Sequence, residues 1–255
     1  MKRLLWHALS IAFLAAVILG WKIAADTQFI NPMFLPGPER AFATLRGWIA
    51  QGELWRPLGL TVGRMFAGWL AASFLGVALG AAIASSRVAR DLFQPTAEFL
   101  RPLPASAVLP PAILLLGLSD RMIIFVVAFG SVWPILLGAI HGIRALDPRL
   151  FEVARLMRFS AWQRAWKFQL PNALPDIFAG MRVSIALALI ITVAAEMLSS
   201  LPGLGQMVLF AARAFKAADI FAGVIVLGAV GLLTNATMQW IEDRLLRWRP
   251  AQIGA

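Results

Sequence analysis

Long stretches without a charged residue constrain this chain more than any other feature. Residues 65–86 contain no charged side chain, and several other stretches of similar length contain very few. A helix needs about 20 predominantly apolar residues to cross the hydrocarbon core of a bilayer. Across the 255 residues, 60% are hydrophobic and 14% are charged, against about 25% charged in an average soluble domain. A soluble domain, and with it a soluble enzyme, is excluded.

Six stretches qualify as membrane spans, which predicts an all-α transmembrane fold with a single domain over residues 1–255. The predicted spans are 4–25, 63–86, 97–119, 121–143, 177–199 and 219–243. The first span is also compatible with a cleaved signal peptide. We favour a retained helix because the apolar run is long and no small-residue cleavage site precedes a polar segment. Prolines 102, 104, 110 and 111 predict that the third span is kinked or partly unwound.

The basic residues lie mostly between the apolar stretches. The net charge is +10, but no basic face is interleaved with stacking aromatics, so nucleic-acid binding is not expected. Cytoplasmic loops of membrane proteins carry an excess of Lys and Arg. This rule predicts that both termini and the connection 144–175 are cytoplasmic. The absence of cysteine excludes disulfides and thiolate metal sites.

Two connections predicted to lie on the external side of the membrane are too long to be simple turns. Residues 39–51 show an amphipathic helical pattern. Residues 201–217 fit either a loop that re-enters the membrane or an ordinary interfacial helix. The second span also carries a stripe of small residues that lets another helix, of the same or of a second chain, approach closely. The stripe consists of Ala72, Gly76, Gly80 and Ala84.

The connection 144–175 contains signals for two short helices. Asp147 offers an N-cap carboxylate, and a proline follows it at the first helical position. Ser160 and Gln163 have the spacing of a capping box, which starts a second helix. Such a pair is compatible with an interfacial anchor, held by Trp162 and Trp166 at the headgroups. It is equally compatible with a docking element for a cytoplasmic partner.

Several motifs together resemble a known family. Glu152-Val153-Ala154, followed by Phe168-Gln169-Leu170-Pro171, is similar to the signature loop of ATP-binding-cassette (ABC) importer permeases. Further similarities lie at residues 34–38, 99–104, 173–175, 180–182, 194–197 and 203–205. They resemble the nitrate/sulfonate/taurine branch of that family.

The resemblance implies a type I importer permease, a six-helix bundle whose loop 144–175 carries a coupling helix. It further implies a homodimer of permeases in the bacterial inner membrane, two cytoplasmic ABC ATPase subunits and a periplasmic or lipid-anchored substrate-binding protein. The chain itself has no G-x-x-x-x-G-K-[ST] phosphate loop, so ATP hydrolysis falls to the separate subunit. No enzymatic activity, cofactor or metal is expected, and membrane lipid is the remaining contact.

In the family, the short helix of the loop inserts into a cleft of the ATPase. By position, the residues expected to dock are Glu152, Ala154, Arg155, Leu156, Met157, Ser160, Leu170 and Pro171. Glu152 is also compatible with a solvated carboxylate near a helix N-terminus. The sequence departs from the family at Arg158, where glycine is usual, and an arginine must avoid a positive φ or accept strain. This departure predicts one of three things: a loop that bends differently, docking on an unusually acidic ATPase surface, or weakened coupling.

Glu196 is the most informative charge within a predicted span. A carboxylate in the bilayer costs about 2.5–3.5 kcal/mol unless it faces water or a partner. We expect Glu196 to bond backbone groups at a gate or to pair with Arg64 or Arg101, and we favour this structural role over contact with the solute. The pathway or gate residues are therefore Glu196, Gly203, Gly205, Arg101 and Arg64.

An ATPase-independent channel or secondary transporter is the alternative function. It predicts inverted repeats or paired ionisable residues at mid-membrane, and neither is evident. A third alternative is a scaffold subunit, which would tolerate substitution of Glu196. For the importer, the resemblance implies a small anionic solute such as an alkanesulfonate, taurine, nitrate or bicarbonate. Aromatic acids and thiamine-precursor pyrimidines are further candidates.

Overall fold

The computed structural model describes residues 2–27, 30–31 and 33–247, and all regular structure in these residues is helical. The helices are α1 (Lys2–Asp26), α2 (Pro38–Gln51), α3 (Trp55–Ser85), α4 (Arg87–Leu100), α5 (Ala105–Leu116), α6 (Asp120–Arg144), α7 (Pro148–Leu156), α8 (Ala161–Arg164), α9 (Leu170–Ser199), α10 (Leu204–Arg213) and α11 (Ala217–Leu245). A π-helical turn, Ala165–Gln169, joins α8 to α9. The predicted all-α fold is confirmed for this part of the chain.

Four of the described helices are long and apolar enough to cross a membrane. They are α3, α6, the stretch Trp162–Ser199 that contains α9, and α11. Helices α4 and α5 qualify together as a fifth span, bent by 97° at the break between them. This break is the kink that the prolines predicted. The predicted first span coincides with α1, and the division into six spans stays a prediction.

The core is a layer of three helices in which α6 packs along both α3 and α9. Small residues allow the close approach of α3 to α6. Gly76 faces Ile135 and Gly80 faces Ala139, and a Cβ on either glycine would lie too close to α6. The small-residue stripe therefore serves packing within one chain.

Helix α6 runs parallel to α3 and antiparallel to α9, which gives the bundle two distinct ends. At the first, the α10 end, Arg64 near the start of α3 meets Asp120 at the start of α6 and Glu196 near the end of α9. At the second, the loop end, α3 and α6 finish and α7 and α8 lead into α9. Residues at the two ends are separated by most of the length of the core helices.

Two short helices close the α10 end. The amphipathic pattern at 39–51 is confirmed as α2, which packs on α11 and buries Trp48 in an apolar cluster that includes Leu204 of α10. The stretch 201–217 forms α10, whose residues Leu204 and Val208 are buried. Helix α10 packs on α9 and α11, so the segment after Glu196 is held by the protein on two sides.

Candidate gate cluster and docking loop

Glu196 lies fully inside the α10 end of the bundle, with none of its surface exposed. Arg64 donates a hydrogen bond from Nη1 to Oε1 of Glu196 at 2.8 Å. The hydroxyl of Thr61 donates to the same carboxylate at 2.9 and 3.0 Å, and the backbone N–H of Gly205 donates to Oε2 at 3.0 Å. A buried charge is tolerated when a counter-charge and hydrogen bonds satisfy it, and both are present here.

Arg64 extends this network to two more elements. Its Nη2 and Nε donate to Oδ1 of Asp120 at 2.6 and 2.9 Å, and its Nη1 donates to the carbonyl of Pro202 at 2.6 Å. Only 5% of Arg64 is exposed, whereas the side chain of Asp120 is 60% exposed. The four side chains Thr61, Arg64, Asp120 and Glu196, called the Glu196 cluster below, therefore tie α3, α6, α9 and the start of α10 together.

The turn into α10 has no room for side chains. A Cβ on Gly203 would meet the carboxylate of Glu196, and a Cβ on Gly205 would meet the carbonyl of Val193. The backbone of Gly203 is extended (φ 166°), so space rather than conformation requires glycine there. Thr61 completes the turn by accepting the N–H of Leu204 at 2.9 Å.

The structure brings together four of the five residues that the sequence assigned to a gate. Of the two arginines offered as partners of Glu196, it selects Arg64. Thr61 and Asp120 were missed. Thr61 lies three residues before Arg64 and so on the same helix face, which is a usable signal, whereas nothing in the sequence places Asp120 beside Arg64.

Arg101 lies elsewhere, at the break between α4 and α5 and towards the loop end. It lines a cavity of about 590 Å³ between α4 and α6, together with Arg90, Arg144 and Trp133. Arg101 and Glu196 share no contact among those that the described residues form.

The loop between α6 and α9 folds as the capping signals predicted. Oδ1 of Asp147 accepts the N–H of Arg149 at 2.8 Å. Ser160 and Gln163 form the reciprocal bonds of a capping box, at 2.9 and 3.2 Å.

Helix α7 ends with Arg158 in the left-handed conformation (φ 56°), and the N–H of Phe159 bonds to the carbonyl of Ala154 at 3.1 Å. This is a Schellman ending, in which glycine is the usual residue at the left-handed position. Arg158 therefore accepts the strained conformation.

The residues expected to dock divide into three groups. Glu152, Leu156, Met157 and Ser160 are exposed, and Leu156 is 83% exposed. Ala154 is buried, and Leu170 and Pro171 are half-buried where α9 begins. The side chain of Arg155 lies outside the described residues. Trp162, 71% exposed, and Trp166 meet edge to face beside this surface.

Comparison with known proteins decides the family. Residues 57–248 match the family model described as "Binding-protein-dependent transport system inner membrane component". The chain belongs to this family. A Bacillus subtilis protein, provisionally named an aliphatic sulfonates transport permease, is 32% identical to this chain over 94% of this chain and 87% of the relative. The chain is 28% identical to the taurine transport system permease protein of Escherichia coli over 97% of this chain and 94% of the relative.

Further matches agree with this assignment. A bicarbonate transport system permease protein of Synechococcus elongatus is 30% identical over 94% of this chain and 89% of the relative. Among solved structures, a chain of an amino acid ABC transporter superposes with a TM-score of 0.63 at 15% identity, covering 80% of this chain and 98% of that one. At this identity the match supports the fold alone, which is the helical bundle of an ABC importer permease.

This permease is therefore a membrane subunit of an ABC importer, and ATP is hydrolysed by a separate subunit. The resemblance to the sulfonate, taurine, nitrate and bicarbonate branch is confirmed by the relatives. The importer function is supported over the ATPase-independent channel. Among the described residues, no group of three or more His, Asp or Glu is placed to hold a metal ion.

Proposed function

We propose that two copies of this permease form the pathway of an importer for a small anion. In this proposal α7 and α8 dock a cytoplasmic ATPase, and the Glu196 cluster is the structural element of the external gate. The observation that carries the proposal is the exposed apolar surface on α7 and α8, which is presented by a well-capped loop between two spans of a permease.

The surface of α7 is chemically suited to a protein cleft. Ala154 packs towards the chain, while Glu152 and Leu156 are both exposed. They are four residues apart and so share one face of the helix. Exposed apolar patches of this kind mark interaction sites. A carboxylate beside the leucine favours a cleft with a basic group over the hydrocarbon that an interfacial anchor would enter.

The side of the membrane follows from charge. The loop end holds Arg87, Arg90, Arg144, Arg149, Arg158 and Lys167, and basic loops stay cytoplasmic. Both chain termini are then cytoplasmic, and the Glu196 cluster faces the periplasm, where a substrate-binding protein delivers the solute. The chain lacks cysteine, so single cysteines at Ser160 and Arg46 would report their side by labelling with a membrane-impermeant maleimide.

The solute class rests on the relatives. Taurine, aliphatic sulfonates and bicarbonate, the solutes in their names, all present an anionic oxygen-bearing group. We infer a solute of this class for this permease. Selectivity among such anions falls largely to the binding protein.

The gate assignment rests on the Glu196 cluster. It joins three spans and α10 through one arginine, so opening at this end has to move the cluster as a unit or break it. The carboxylate is fully buried and accepts hydrogen bonds from Thr61, Arg64 and the backbone of Gly205, which supports a structural role rather than contact with the solute.

Leu156→Asp tests the docking assignment. The tagged permease is co-expressed with its ATPase and purified in mild detergent, and ATPase recovery and binding-protein-stimulated ATP turnover are measured. We expect a stoichiometric ATPase with the wild type and loss of at least tenfold in recovery with Leu156→Asp, because a charge replaces the most exposed leucine of the face. Leu245→Asp, at an exposed leucine near the end of α11, is the matched control and should retain the ATPase. Normal recovery and turnover in Leu156→Asp would disprove the assignment.

A further inference from the structure

The cavity beside Arg101 is separate from the Glu196 cluster and from the α7–α8 surface. It lies between α4 and α6, near the loop end, with a volume of about 590 Å³. Small-molecule sites in proteins occupy about 300–1,000 Å³, with largely apolar walls and a few convergent polar groups. The apolar walls here include Phe93, Leu136 and Ile140.

The charged groups of the cavity are mainly basic. Arg90, Arg101 and Arg144 line it with one carboxylate, Glu98, among its described lining residues. These three guanidinium groups take part in none of the ion pairs that the described residues form. Arginine presents a planar fork of donors that matches oxyanions such as carboxylate and phosphate. The lining therefore carries two net positive charges beside an apolar wall.

Trp133 extends the lining of the cavity along α6. Its indole N–H is sealed from the cavity, so the ring rather than the donor contributes to the wall. Trp133 precedes Arg144 by eleven residues on α6, or about 16 Å along the helix axis. The apolar wall therefore continues inward from the basic groups.

We propose that this cavity binds an organic anion, with its charged group among Arg90, Arg101 and Arg144 and its apolar part against the apolar wall. We assign the anion to the solute carried by the importer, which makes the cavity a solute-binding site at the cytoplasmic end of the pathway. This assignment rests on the function proposed above, whereas anion binding by the cavity does not.

The headgroup of an anionic phospholipid has the same chemistry as such a solute. The volume of the cavity favours the solute, because about 590 Å³ matches the site of a whole small molecule. The lining also combines cationic and apolar groups within one small volume, which suits a short organic anion.

The test is binding of radiolabelled hexanesulfonate to the full-length chain in phosphatidylcholine nanodiscs. We expect saturable binding of one molecule per chain, with no competition by hexylammonium or hexanol. A hydrogen bond to a charged group is worth about 1.5–3 kcal/mol, so Arg101→Gln and Arg144→Gln should each weaken binding about tenfold or more. Arg46→Gln, which removes an exposed arginine of α2 far from the cavity, should leave binding unchanged.

Three results separate the alternatives. Absence of saturable binding, or equal binding by Arg101→Gln and wild type, would overturn the anion site. Abolition of binding when phosphatidylglycerol is added to the nanodiscs would overturn the solute assignment in favour of lipid. ATP-dependent import by the assembled wild-type importer in proteoliposomes is measured in parallel. If the importer shows no ATP-dependent import while the chain still binds hexanesulfonate, the proposed function is refuted and anion binding by the cavity stands.

Discussion

The two ends of the bundle treat their polar and apolar groups in opposite ways. At the α10 end, a buried carboxylate and a buried guanidinium satisfy each other with help from Thr61 and backbone groups. At the loop end, leucine, methionine and tryptophan side chains of α7 and α8 stand exposed. The first arrangement is complete within one chain, and the second fits the docking of a partner that we propose above. Substitutions at the α10 end should therefore cost stability, whereas those on the α7–α8 surface should cost assembly.

Glu196→Ala should cause the largest loss of stability, and it tests directly whether the α10 end is stabilised within one chain. Removing one member of a buried ion pair leaves the other charge uncompensated, at a cost of about 3–5 kcal/mol. Arg64 keeps Asp120, so we expect the lower part of that range. The measurement is the free energy of unfolding in detergent, with Asp243→Ala, at an exposed carboxylate of α11, as the control. A loss below about 1 kcal/mol would mean that the α10 end is no more self-contained than the loop end.

Gly203→Ala tests the stability of the α10 end through packing, without removing a charge. The added Cβ would meet the carboxylate of Glu196, and overpacking a tight site costs about 1–3 kcal/mol. Gly63→Ala is the matched control. It lies in α3 with open space around it, and alanine there should stabilise by up to about 1 kcal/mol through helix propensity. Equal stability of the two variants would show that the turn into α10 is loose enough to move without breaking the Glu196 cluster.

Local signals in the sequence predicted the elements well. The apolar stretches, the prolines near 102–111 and the capping box at Ser160 each act over a few residues, and the structure has a helix, a break and a cap at those places. They also singled out Glu196 within a predicted span and named Arg64 as one of its two candidate partners, and the structure pairs the two.

Long-range packing decided what the sequence left open. The choice of Arg64 over Arg101 depends on the parallel packing of α3 and α6 and on the bend between α4 and α5, which carries Arg101 towards the loop end. The role of Asp120 depends on the same packing, because its neighbour Arg64 is 56 residues away in the chain. The cavity that contains Arg101 and Trp133 likewise draws its residues from three helices. Such sites have no periodicity or spacing to reveal them.

Arg158→Gly is the smallest expected effect and tests how firmly the loop end is built. Arg158 occupies the left-handed position of the Schellman ending of α7. That conformation costs a non-glycine residue about 1–2 kcal/mol, while glycine loses about 0.5–1 kcal/mol more backbone entropy on ordering. The net gain is about 0.5–1 kcal/mol, so hydrogen exchange of the amides at the end of α7 should slow about two- to fivefold. Because Ala retains a Cβ, Arg158→Ala should exchange at the wild-type rate. Equal exchange in the glycine and alanine variants would show that the loop does not hold this strain before its partner binds. Slower exchange in the glycine variant alone would show that α7 is pre-formed for docking, and that its exposed surface, unlike the Glu196 cluster, needs only a partner.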